Sequence, residues 1–350
     1  MADESPQAAA HAAEAQPARR CGECHESYLT QWEGSAHALA DRSPIYRAMR
    51  ARAPEPAACD RCHAPLAAVL GRGELVAAEG VTCEVCHAIA DVDLRPTTVE
   101  WSLQLTSNRK YGPLCGDVQT PYFHRTACSP LHEQSRLCAA CHHRAHAATA
   151  DEIPPVFSEF EEWQHGDAMT AGLHCQGCHM PDSLGQVASG GPLRGGVSAH
   201  DFMGSSGVAL AASLRREADD LAVIAVVSSS GAAHALPVGL PGRQLVVRAT
   251  AVDDTGASLG SAEEVFGRVL VDERGAEAPF FAAVRQAADT RLSIGEARMV
   301  VLRLPATAAA VELSLLERPL SPALARTLGL ADPQPRILES RRLAVGEAAP

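Results

Sequence analysis

Aromatic side chains are scarce in this 350-residue sequence. Phe, Trp and Tyr together make up 4%, against 46% hydrophobic residues overall, with alanine and other small residues supplying much of the apolar count. Such a composition leaves room for another large, flat, apolar group in the interior. No run of roughly 18 apolar residues occurs, so no transmembrane helix is expected. The opening MADESPQAAAHAAEAQPARR lacks the basic start and apolar core of a secretory signal. There is no basic tract and the formal net charge is −12; nucleic acid is thereby excluded as a partner, and a basic or polar redox partner steered by opposite charge is favoured.

Cysteine and histidine are what the sequence has. Ten of its 12 cysteines fall into five Cys-x-x-Cys pairs, each followed at once by histidine: Cys21/Cys24/His25, Cys59/Cys62/His63, Cys83/Cys86/His87, Cys138/Cys141/His142 and Cys175/Cys178/His179. Two thiols one helical turn apart add to the two vinyl groups of a porphyrin, while the adjacent histidine reaches the iron from one face. Zinc suits an odd number of such pairs poorly. A thioredoxin-like dithiol is normally single and sits in a βαβ context not seen here, and the compact cysteine runs of ferredoxins are absent. The expectation is five covalently bound c-type haems, held by these ten cysteines and five proximal histidines. Covalent haem attachment normally happens outside the bacterial cytoplasm, so a periplasmic or extracellular location is expected, with the export signal missing from this sequence.

Each iron has a second face. Histidine there makes a low-spin electron carrier, whereas water or an open position permits substrate chemistry. Methionine is scarce and no Cys-x-x-Cys-Lys motif occurs, so bis-histidine ligation is expected to dominate. His37 leads the distal candidates, because a short helical segment beside the first motif can deliver it over a porphyrin. His200 and His124 follow, and His234, isolated in a loop between strands, is placed to dock the C-terminal part onto a haem. His132, His146, His165 and His174 are further candidates, each with a surface or propionate-contacting role as the alternative. The two remaining cysteines, Cys115 and Cys128, suit a disulfide in an exported protein, with free thiols or a haem contact as alternatives.

Composition divides the chain into three. Residues 1–18 read as a disordered, alanine-rich lead. Residues 19–204 hold all 12 cysteines and 13 of the 15 histidines, with short helical turns and coil between the motifs. Residues 205–350 show about seven alternating or β-branched runs separated by turn-rich stretches, the pattern of an antiparallel β-sandwich. Within it, LSPALARTLGL (320–330) predicts a short helix with Ser321 as cap and Pro322 at its first position. The fold class expected is therefore multi-domain: a short-helix and coil pentahaem domain followed by a β-sandwich.

The chain also resembles the multihaem cytochromes related to cytochrome c554, notably the group with an appended β-sandwich. CGECHESYLTQWEGSAHALA (21–40) matches the opening motif with Trp32, Ser35 and the ligand His37; GVTCEVCH (80–87) looks like the third motif. RKYGPL (109–114) with SRLCAACH (135–142) matches the fourth region. EEWQHGDAMTAGLHCQGCHMP (161–181) is similar to the last motif and SAHDFMG (198–204) to the histidine that follows it; AAHALPVGLPGRQLVVRATAVDDTG (232–256) resembles a recurrent turn and strand of the β domain. The resemblance implies an exported electron carrier with mostly bis-histidine haems. In the last motif Ala168 stands where the counterpart of His37 is expected, and His165 lies nearby, so one iron has no assigned second ligand.

The function expected is electron transfer between redox partner proteins, a membrane-associated complex among them, through closely packed haems. Two alternatives stand beside it: an oxidoreductase acting on a small nitrogen or sulfur compound at one open haem, and a subunit of an extracellular conducting assembly. Catalysis and homo-oligomerisation are left open by the sequence. A non-catalytic carrier is the favoured reading.

Overall fold

The structure, a computed structural model, describes residues 15–95, 99–106, 108–115, 123–143, 156–203 and 207–346. Of the expected lead, residues 1–14 lie outside these, as does His146. Packing divides the chain into two compact units, Met1–Ala145 with Asp167–Ser205, and His146–Gly166 with Ser206–Pro350.

The first unit is built from short helices: α1 (Ala18–Gly22), α2 (Glu26–Glu33), α3 (Pro44–Arg50), α4 (Pro56–His63), α5 (Pro65–Leu70), α6 (Cys83–Ala88) and α7 (Ser135–His142), then, from the second unit, α8 (Glu159–Gln164), and again from the first α9 (Asp167–Thr170) and α10 (Cys175–His179). Proline sets several starts. α3 opens with Ser43, whose hydroxyl accepts the Tyr46 N–H, and Pro44 at the first helical position. Three two-stranded ladders interrupt the helices: antiparallel β1 (Ile89–Leu94) with β2 (Val99–Leu103), parallel β3 (Arg109–Gly112) with β4 (Arg125–Cys128), and antiparallel β5 (Asp182–Gln186) with β6 (Leu193–Ser198). Its buried apolar residues form small separate clusters, such as Leu66, Leu70, Val85 and Leu105, or Ala18, Trp32 and Ala38. This is the local core expected of a segment with few large apolar side chains.

The second unit is antiparallel β-sheet in two layers. One sheet runs β11 (Arg285–Asp289), β10 (Ser258–Val271), β9 (Gln244–Val252), β13 (Ala310–Arg318), β14 (Arg336–Ala344); the other runs β12 (Ala297–Pro305), β8 (Asp220–Ser228), β7 (Ala209–Arg216). Alternation explains the packing: along β12, Val300, Leu302 and Leu304 are buried while Met299, Val301 and Arg303 face out. Phe266, Leu313, Leu315, Val247 and Leu221 share one continuous core. The helix expected over 320–330 forms as α11 (Pro322–Leu328), with Ser321 Oγ accepting from Leu324 N at 3.0 Å and Gly329 ending it in the left-handed region.

The packing unit departs from the compositional boundary at 204/205 by one segment. Residues 156–166, carrying α8, belong with the strands. Phe160 and Trp163 are buried, their ring centres 5.4 Å apart. Glu162 takes Arg291 at 3.0 Å and the Ala235 N–H at 2.8 Å, Glu159 accepts the Gly239 N–H at 2.7 Å, and buried Arg268 donates to the Val156 carbonyl at 3.1 Å.

Candidate haem sites

Each Cys-x-x-Cys-His motif forms a helical turn. In the first, the N–H groups of Cys24 and His25 both donate to the Cys21 carbonyl; the other four lie on α4, α6, α7 and α10. Positions i and i+3 of a helix share a face, so the two thiols point the same way and the histidine follows one step on. The motifs also meet one another within the first unit. α1 packs against α6, α4 against α7 and α10 against α7, which brings Cys21 near Cys83, Cys62 near Cys141 and Cys175 near Cys138. Burial pushes the Cys86 thiol up to about 11, while the hydrogen bond with Cys138 lowers Cys175 to about 7.

Cys178 is exposed, whereas the other nine are partly buried. The cause is the shortness of α10, which has five residues and buries none of them. Its first turn is held where Ser135 Oγ accepts the Cys175 N–H at 3.0 Å, so Cys175 is packed against the fourth motif while Cys178, one turn further on, faces solvent. The two thiols of the fifth motif thus stand in unlike surroundings.

Three motif histidines face a histidine from elsewhere in the chain, always at the same spacing. Ring centres lie 6.3 Å apart for His25 and His124, for His87 and His200, and for His142 and His37. Two imidazoles bound to opposite faces of one iron through metal–nitrogen bonds of about 2 Å would have ring centres roughly 6 Å apart. The hydrogen bonds fit the same role. His25 Nδ1 donates to the Val187 carbonyl at 2.6 Å, His87 Nδ1 to the Tyr111 carbonyl at 2.6 Å, and His200 Nδ1 to the Ser198 carbonyl at 2.9 Å. A proton held at Nδ1 leaves the Nε2 lone pair for a metal. His124 makes only a long contact of this kind, 3.3 Å to the Arg125 carbonyl.

His37 is positioned by its own carbonyl, which accepts the Val81 N–H at 3.0 Å. Gly80 permits that approach, for its φ is +71° and a Cβ there would lie 2.5 Å from the His37 oxygen. His37 Nδ1 is buried without a hydrogen-bond partner. Burial lowers His37, and with it His63, His132 and His200, to about 4, so all four are neutral at pH 7, the form that ligates a metal. The residues therefore fit haem: imidazoles paired across a gap of the right width, each pair beside two thiols. Among the described residues no group of three or more His, Cys, Asp or Glu stands ready to hold a metal ion by itself.

The other candidates are placed differently. His132 donates from Nε2 to the Cys86 carbonyl at 3.1 Å, its Nδ1 is buried without a hydrogen-bond partner, and its ring is 5.6 Å from that of His87. His174 Nδ1 accepts the Ser135 N–H at 3.2 Å, which puts its proton on Nε2. His165 and His234 belong to the second unit, where their Nδ1 atoms contact the carbonyls of Glu161 at 2.7 Å and Ala235 at 3.4 Å. Cys115 and Cys128 are joined by a disulfide, with Cα atoms 4.8 Å apart.

His63 has a neighbour that sequence reasoning missed. The Tyr46 ring stacks on it at 4.5 Å and 19°. Tyr46 Oη donates to Asp60, inside the second motif, which also receives Arg50 and Arg72. Burial works against the Asp60 charge, but these three donors outweigh it and hold the carboxyl well below its ordinary range. The only advance signal was a tyrosine and two arginines near the motif in a chain poor in aromatics.

Residues 20–88 match the family described as cytochrome c554 and c-prime. No curated protein sequence matches the chain. Among solved structures, a penta-haem cytochrome c552 from Thermochromatium tepidum matches with a TM-score of 0.72 and 22% identity, over 96% of this chain and 100% of that one. At that identity the likeness speaks for the fold. The chain thus combines an N-terminal cytochrome c554-like segment with the fold of a penta-haem cytochrome, completed by a C-terminal region of antiparallel β-sheet.

Proposed function

We propose that the chain is an exported penta-haem c-type cytochrome that carries electrons between redox partner proteins. The observation that carries this reading is the repeated 6.3 Å spacing of histidine rings, each time between a motif histidine and one distant in sequence. In this reading the five cysteine pairs hold haem through thioethers, the exposed Cys178 included, and His25 with His124, His87 with His200, and His142 with His37 ligate three of the irons. Bound haem iron supplies one-electron exchange. The protein's part is to fix the imidazoles through the carbonyls of Val187, Tyr111 and Ser198. Thiol contacts put motif 1 beside motif 3, and motif 4 beside both 2 and 5, an adjacency that suits electron hopping. His174 is read as a helix cap, since its Nδ1 lone pair is used. The likeness to a penta-haem cytochrome supports the same reading.

Haem quantification and EPR of the purified, oxidised protein test it. Five haems per chain with mainly low-spin signals are expected; a haem-free protein from a host able to attach haem would sink the proposal.

A second reading has one observation in its favour. Among the described residues, the ring beside His63 is Tyr46 and no histidine ring faces it at ligand-pair spacing. An open iron at the second motif would make the protein an oxidoreductase for a small nitrogen or sulfur compound. A high-spin signal responding to small ligands would favour this reading over the pure carrier.

A further inference from the structure

The second motif residue of the third site, Glu84, is charged yet only 1% exposed. Its partner is Lys110, the single lysine of the chain. The Lys110 ammonium lies 2.7 Å from one carboxylate oxygen and 2.8 Å from the other, with its side chain 16% exposed. Lys110 sits on β3, and the next residue along, Tyr111, supplies the carbonyl that receives the His87 Nδ1–H at 2.6 Å. One ion pair therefore ties the motif helix α6 to the residue adjoining the group that orients its own histidine.

β3 is four residues long and pairs only with β4, in a parallel ladder that is weak at this length. A buried ion pair is a poor source of net stability, because desolvation of both charges offsets their attraction. What it does well is fix geometry, since both charges must stay together once buried. Here the fixed geometry is the distance and direction of the His87 N–H to the Tyr111 carbonyl. An imidazole whose N–H is firmly held by a carbonyl is a stronger electron donor to iron, and it stabilises the ferric state.

We infer that Glu84 and Lys110 are positioning residues that, by holding the Tyr111 carbonyl on His87, lower the reduction potential of the haem attached at Cys83 and Cys86. The inference rests on the penta-haem reading above. Its distinctive feature is locality: one potential of five depends on the pair.

The test is a spectroelectrochemical titration with EPR on the purified holoprotein. In the double variant Glu84→Gln, Lys110→Met, which removes both charges and shortens only the lysine, by one atom, one midpoint potential rises and one set of low-spin g values shifts. The other four stay in place. Lys110→Arg, which keeps the charge and the donors, restores most of the wild-type value. Glu84→Asp retains both charges but shortens the tether by one methylene, and it displaces the same midpoint in the same direction; it decides the matter if the double variant fails to accumulate. Five bound haems with all potentials unchanged, or all shifted together, would overturn the inference. Absence of haem from the wild-type protein would instead overturn the reading beneath it.

Discussion

Ser135 Oγ accepts the backbone N–H of Cys175 at 3.0 Å, and in return the Ser135 N–H donates to Nδ1 of His174, the residue preceding Cys175. The N-termini of α7 and α10, which carry the fourth and fifth motifs, therefore satisfy each other. Gln176 adds bonds to the His132 and Gln134 carbonyls at 3.1 and 2.9 Å. Free N–H groups at a helix start must find acceptors, and these two short helices find them across the gap between motifs rather than within themselves.

Ser135 is fully buried, so Ser135→Ala leaves the Cys175 N–H without its acceptor. We expect a loss of about 1–2 kcal/mol in unfolding free energy, read by chemical denaturation, with the number of low-spin haems unchanged.

Single alanine replacements separate ligands from bystanders. His37→Ala, His124→Ala and His200→Ala should each convert one low-spin EPR signal to high-spin, whereas His174→Ala should lower stability and leave every signal low-spin. A low-spin count unaffected by His37→Ala would refute its pairing with His142.

Acid sensitivity follows from buried His132, whose ring the proposed ligation leaves off iron. Burial depresses it to about 4 from the ordinary 6.5. Between these values the unfolded chain binds more protons than the folded one, so unfolding is favoured as pH falls. Its stabilising contribution is complete above pH 6.5, declines from there to about pH 4, and is constant below. Denaturation midpoints should fall across this window, and His132→Gln should flatten the profile; an unchanged slope in that variant would contradict the burial of this ring.

The β-sandwich has its own sensitive point in Phe266, which is fully buried in the shared core. Phe266→Ala should cost about 3–5 kcal/mol, visible by calorimetry as a lowered transition.

The motif geometry was legible because it is local: Cys21 to His25 spans one helical turn, and spacing alone fixes which face each group takes. Spacing does not tell how deeply a thiol is packed, which is why the exposure of Cys178 could not be read from its motif. Strands with clear alternation, such as Ala297–Pro305, were legible for the same local reason. The first half of β10, GSAEEV, was not, since its exposed polar residues carry no apolar period, and neither was the five-residue edge strand Arg285–Asp289. The ladders β1 to β6 sit in a segment that reads as coil because each is short and paired only once. The pairing of histidine rings was the hardest to see. The sequence presents His37 as a ligand type, but that it faces His142 rather than a nearer motif depends on how the whole unit closes.

The segment 156–166 gives the chain a temporal asymmetry. Val156, Glu159 and Glu162 leave the ribosome well before Arg268, Gly239 and Arg291, the residues that hold them. During synthesis, residues 156–166 therefore wait for these contacts until the later strands have been made. The first motif shares this dependence on later chain, since His25 Nδ1 donates to the carbonyl of Val187, which is made after all five motifs.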